Sequence, residues 1–335
     1  MKIDRIGVRR SLPSGARQWR RHAARLTAQE YIPFAAWILS WAAFASALGL
    51  TPAIWLMAAN GFVQASRSLL LMQSFDAISA RIGCARETKA SARRLAFRLD
   101  GATLIGSLAL LAILAIGFRA IGLIDLAAMV LIVALGLPAR TPLLLALDRC
   151  DIGTAWRLGS SLVMLAGAGI VLLLGLHWVW AALAVGLREW GGLLGVWLKP
   201  QRSPAIASAP PAELKFAEIA ARTSMAARRR LVYRIGKVAL SAIGPVGSLI
   251  ARTGRGGGLD GRLAARFPAG PAPLMVLAVL SIAAVALIIL ISRDPPALLI
   301  ASVAARIAAA AFSALIWWPW QSGADIRSDW LNDDL

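Results

Sequence analysis

The sequence predicts an all-α fold, a polytopic transmembrane helix bundle of about eight spans, and three observations predict it. Hydrophobic residues make up 59% of the 335 positions and mean hydropathy is +0.68, whereas soluble domains are only about half apolar. Apolar runs of about 20 residues, the length that crosses a bilayer as a helix, recur along the chain. Lys and Arg fall almost entirely on one side of those runs. Of 36 such residues, Arg67, Arg188 and Arg306 lie inside runs, Arg119 and Arg293 in turns on one side, and the other 31 on the opposite side. By the positive-inside rule both termini are expected in the cytoplasm.

Residues 1–30 form a basic cytoplasmic leader. Arg17, Arg20, Arg21 and Arg25 surround Trp19, Ala23 and Leu26, a spacing that suits a short helix on the membrane surface, with a disordered basic tail as the alternative. "VRRSLPS" (8–14) looks like a twin-arginine export signal and "ASA" (45–47) like a cleavage site. The long charged leader before the apolar run argues against both.

Residues 31–198 contain six runs, 31–49, 53–73, 101–118, 121–139, 158–176 and 178–198, forming a six-helix N-terminal lobe. In the second run Asn60, Gln64 and Arg67 lie within roughly 60° of one another at about 100° per residue, a single polar stripe on one helix face. The fourth run ends in "LGLPARTPLLLAL", where Pro138 and Pro142 predict a broken or kinked helix. Broken helices mark substrate sites in some transporters; a plain helix end explains the same letters. Trp178, Trp180 and Trp197 bracket the sixth run, as interfacial anchors do.

Residues 199–271 are a basic connection expected on the cytoplasmic face. Its apolar stretch 238–251 is short, contains Gly244 and Pro245 and has basic flanks, so it is expected to lie in the interface; a ninth span is the alternative. Runs 272–292 and 296–317 form a two-helix C-terminal hairpin (272–320) closed by Trp317, Trp318 and Trp320, and an acidic tail (321–335) follows.

A net charge of +19 can indicate nucleic-acid binding. Its placement beside the spans instead points to anionic lipid headgroups, at about 1 kcal/mol per residue near the surface, and no nucleic-acid partner is expected. Cys84 and Cys150 fall on the expected cytoplasmic side, where thiols stay reduced.

The chemistry needed for an enzyme is sparse. His22 and His177 are the two histidines, too few for a metal site within the spans. Clustered aspartates that could hold Mg²⁺ at phosphates are limited to one adjacent pair, Asp333 and Asp334, in the acidic tail. "LDGRLAAR" (259–266) misses the CDP-alcohol phosphotransferase signature in spacing and in downstream acids, and "GRGGG" (254–258) lacks the Lys-Ser/Thr of a phosphate loop. No catalytic residue, metal or cofactor is expected, and the protein is not expected to be an enzyme.

Charge inside the spans is the informative signal. A mid-membrane arginine costs about 2.5 to 3.5 kcal/mol on insertion scales, so it should face a partner or a wet cavity. Arg67 is close enough to a span end to snorkel, and Arg306, the deepest, could pair with Glu189. Three arginines, Arg67, Arg188 and Arg306, still outnumber Glu189, and an anion is the natural missing partner. The guanidinium fork suits phosphate. The candidate substrate-binding set is Arg67, Arg188, Arg306, Asn60, Gln64 and Glu189.

The six-helix lobe, "RETKASARRLAFRL" before the third run, "LLALDRCDIGTAWRLGSSLVMLAGAGIVLLLGL" entering the fifth and the long connection after the sixth resemble the multidrug/oligosaccharidyl-lipid/polysaccharide exporter superfamily over residues 31–198. These are loose features rather than a strict motif. The resemblance implies a lobe that lines a cavity, often cationic in glycan-flipping members, and exposes it to each side in turn. The second half departs, with two runs where six or more are usual, so a reduced relative would pair with another copy or a second subunit. The expected function is translocation of an anionic lipid-linked envelope precursor in a bacterial inner membrane. The alternative is a non-transporting scaffold subunit of an envelope-assembly complex.

Overall fold

The computed structural model describes residues 16–69, 89–140, 152–198 and 270–316. Among them are eight α-helices and no strand: α1 (Ala16–Leu48), α2 (Leu50–Leu69), α3 (Lys89–Ala120), α4 (Ile124–Ala134), α5 (Ile152–Leu174), α6 (Trp178–Leu198), α7 (Pro271–Ile291) and α8 (Pro295–Ile316). A 3₁₀ turn, Leu137–Arg140, follows α4. The connection 199–269, including the stretch 238–251, lies outside the described residues, as do both cysteines and the acidic tail.

Five segments are long and apolar enough to cross a membrane: Tyr31–Leu48, Trp156–Leu174, Trp178–Leu198, Pro271–Ile291 and Pro295–Ile316. The chain is therefore a helical membrane protein. Two shorter apolar stretches, Leu104–Ala120 and Ile124–Ala139, coincide with the third and fourth expected spans. α2 has the length, but Asn60, Gln64 and Arg67 lower its apolar character. Ile105, Ile113, Ile116, Leu173 and Leu290 stand exposed on the outer faces. In water such a surface would drive association, whereas lipid solvates it.

The leader differs from the expected separate surface helix. From Ala16 onward it is helical and runs without interruption through Pro33 into the first span.

Consecutive helices turn back sharply. Gly49, Gly122 and Gly175 adopt positive φ of 85°, 87° and 59°, the left-handed conformation that closes a helix at low cost only for glycine. The α7–α8 turn is anchored differently: Arg293 Nη1 donates to the Ile121 carbonyl at 2.8 Å. The α3–α4 and α7–α8 turns therefore lie at the same end of the bundle.

α2 is the central helix, with α1, α3, α4, α6 and α8 all packed against it. Phe44, Leu56, Leu111, Leu126 and Met129 are fully enclosed, and Phe62 meets Phe118 at a ring separation of 5.2 Å. Small residues bring backbones close where dispersion, rather than a hydrophobic driving force, holds helices together in lipid. A Cβ on Gly61 would collide with the Ser302 side chain, so α8 rests directly on α2 there. Ala301, Ala308, Ala309, Ala310 and Ala311 of α8 are buried. The C-terminal hairpin thus docks on the N-terminal helices through α8.

Candidate functional site

The polar stripe of α2 does not snorkel. Arg67 is 4% exposed, and its guanidinium meets Glu189 of α6 through two hydrogen bonds, Nη1 to Oε1 at 2.8 Å and Nη2 to Oε2 at 3.4 Å. This fork-on-carboxylate geometry is the strongest form of the pair. Arg188 reaches the same carboxylate from the neighbouring position on α6, with a single contact of 3.5 Å from Nη2 to Oε1. Glu189 is thus held by Arg67 and Arg188, and the alternative lock between Arg306 and Glu189 is not formed. The reason is topological: α2 packs against α6 and takes the carboxylate first.

Gln64 completes the cluster. Oriented with its amide oxygen towards the guanidiniums, it accepts from Arg188 Nη2 at 2.8 Å and from Arg67 Nη1 at 3.2 Å. The opposite orientation would point an NH₂ group at two sets of donors, so the hydrogen-bond network fixes the assignment. Asn60, one turn earlier, faces the same space, and its Oδ1 is buried with no hydrogen-bond partner. Such a group costs about 1 to 3 kcal/mol when left unsatisfied.

These side chains line a small open cleft that encloses about 10 Å³, together with Val63, Val133, Gly136, Leu137 and Val185. It sits where α2, the end of α4 and α6 converge. Asn60, Gln64, Arg67, Arg188 and Glu189 of the expected set are brought together. Arg306 is half-buried on α8 and does not line this cleft, although it lies within electrostatic range of Arg188.

The expected break in the fourth span forms one wall. α4 ends at Ala134, and Leu135 and Gly136 donate to carbonyls three residues back, Ile132 at 3.1 Å and Val133 at 3.2 Å. The chain then tightens into the 3₁₀ turn around Pro138, where Ala139 N donates to the Gly136 carbonyl at 3.2 Å rather than four residues back to Leu135. The Leu135 carbonyl is satisfied instead by Trp190 Nε1 at 3.1 Å. Gly136 is required here by close approach: a Cβ would strike the Gly186 carbonyl and crowd Glu189 Cγ.

Sequence reasoning missed Gly136 and Trp190. Pro138 removes the helical donor for the Ala134 carbonyl and so marks the helix end, but it does not point to the Leu135 carbonyl that Trp190 takes. Nothing local to Trp190 identifies it as the donor.

Among the described residues no three His, Cys, Asp or Glu side chains gather as a metal site requires. The arrangement can hold an anion or lock helices; it contains no nucleophile paired with a base. Compared with family models, curated proteins and solved structures, the chain matches none.

Proposed function

We propose that the protein is a multi-pass bacterial inner-membrane protein of about eight spans, both termini cytoplasmic, that translocates an anionic lipid-linked envelope precursor. The reading includes flippase-like handling, as the resemblance of residues 31–198 to the exporter superfamily implies, and pairing with a second copy or subunit. Anionic headgroups accompany the basic cytoplasmic segments.

The observation that carries it is two guanidiniums converging on one carboxylate at a polar cleft within the spans. Two positive groups against one negative leave the cluster cationic where charge is expensive. A phosphate-bearing amphiphile supplies the missing anion and an apolar tail that the surrounding lipid accepts.

The test is thermal unfolding of the purified protein in neutral detergent with a polyprenyl diphosphate or the corresponding neutral polyprenol. Specific binding at one hundred times Kd stabilises by about 2.7 kcal/mol, and the neutral alcohol should leave the midpoint unchanged. Equal effects of the two compounds would overturn the proposal.

A second reading, the non-transporting scaffold, is favoured by one observation: the Arg67–Glu189 pair ties α2 to α6 as a structural lock. It expects no response to either compound.

A further inference from the structure

Building on the ligand-handling reading above, we infer that Arg188 receives the ligand's oxyanion and that Glu189 is the resident counter-ion it displaces, while Arg67 remains bound to Glu189. The two arginines are not equivalent. The Arg67 side chain is 5% exposed and grips both carboxylate oxygens, whereas Arg188 is 16% exposed and reaches one oxygen at 3.5 Å, the limit of a hydrogen bond. Glu189 is therefore satisfied by Arg67 alone. The shorter bond of Arg188 goes to the Gln64 amide oxygen at 2.8 Å, a neutral acceptor that orients the guanidinium without cancelling its charge. The uncompensated positive charge of the cluster thus resides on its more accessible member.

The ligand's chemistry follows from the rest of the cleft. A guanidinium with donors to spare takes a phosphate or diphosphate oxygen. The buried Asn60 Oδ1, without a hydrogen-bond partner, calls for a donor beside that oxyanion, and a hydroxyl supplies one. A phosphate ester of a polyol, such as a sugar phosphate, carries both. The cleft encloses only about 10 Å³, room for about one water-sized group, so the oxyanion meets Arg188 at the open mouth and a single hydroxyl reaches inward. The remainder of the molecule stays outside.

Displacement has a sign that can be measured. Glu189 repels an incoming anion and competes for Arg188, so neutralising it should tighten binding. With the full-length protein in neutral detergent, Glu189→Gln should bind a polyprenyl diphosphate about tenfold more tightly, a change equivalent to 1.4 kcal/mol. Arg188→Gln should weaken it at least about tenfold while the ligand-free unfolding midpoint stays as in the parent. Asn60→Ala should weaken only a probe that carries a hexose on the diphosphate. Unchanged or weaker binding by Glu189→Gln, with the parent still binding, overturns this inference and leaves the proposed function standing. If Glu189→Gln does not fold, Arg188→Gln decides, and parent-like affinity overturns the inference. No binding by the parent removes both. Inorganic pyrophosphate serves as a second probe: binding as tight as the polyprenyl form would retain the role of Arg188 and overturn the lipid-linked source.

Discussion

Arg67 and Glu189, 122 residues apart, meet through paired hydrogen bonds of 2.8 and 3.4 Å and join the central helix α2 to α6. Both side chains are nearly enclosed, at 5% and 11% exposure. Removing two charges from water costs several kcal/mol per ion, which excellent geometry only just offsets, so breaking one side is far more damaging than removing both.

Arg67→Gln should therefore destabilise the protein by about 3 to 5 kcal/mol, because it strands a buried carboxylate. The double change Arg67→Gln with Glu189→Gln should recover much of that loss. Denaturant or thermal unfolding in a fixed detergent provides the comparison. A double variant no more stable than Arg67→Gln would show that Glu189 is not harmed by losing Arg67.

The α2–α8 seam predicts a steric result. Gly61 faces Ser302 with no room for a methyl group, while Gly169 has nothing within 4 Å of its would-be Cβ. Gly61→Ala should cost about 1 to 3 kcal/mol through overpacking, and Gly169→Ala should be neutral or slightly stabilising. Adding Ser302→Gly to Gly61→Ala should restore part of the loss. Matching midpoints for the two single variants would contradict this packing.

The helices were legible in the sequence because a bilayer imposes length and apolarity on each element separately. Turns were legible for a related reason, since consecutive apolar runs are separated by only a few residues, which leaves little choice but a hairpin. The polar stripe of Asn60, Gln64 and Arg67 followed from helical periodicity alone. What periodicity could not provide was neighbour order. Depth suggested Arg306 as the partner of Glu189, but partner choice depends on which helix lies against α6, and α2 does. Gly136 and Trp190 escaped for the same reason, as their roles arise from contact between α4 and α6.

Arg306 and Glu189 supply a contrast to the opening pair. Arg306 feels the like charge of Arg188, while the two oxygens of Glu189 are taken by Arg67 and Arg188. A double-mutant cycle of Arg306→Gln with Glu189→Gln should give a coupling below about 0.5 kcal/mol, as for residues that share no contact. The Arg67–Glu189 cycle should exceed it several-fold. A larger coupling for Arg306 than for Arg67 would reinstate the depth-based pairing.

The last prediction concerns orientation. The bond from Arg293 to the Ile121 carbonyl places the α3–α4 and α7–α8 turns together at one end of the bundle. The proposed orientation puts that end in the periplasm, because Arg119 and Arg293 are the only Lys or Arg residues outside the spans on that side. Cysteines introduced singly at Arg119 and Arg293, with Cys84 and Cys150 replaced by Ser, should both react in intact cells with a membrane-impermeant maleimide. One introduced at Ser203, near the start of the basic connection, should react only after the membrane is opened. In the double variant Ile121→Cys with Arg293→Cys, a short bis-maleimide should link the two turns. Labelling at Ser203 but at neither turn would reverse the orientation while leaving the bundle intact. Labelling of one turn without the other would break the packing itself, since a hydrogen bond of 2.8 Å cannot join groups on opposite faces of a bilayer about 30 Å thick.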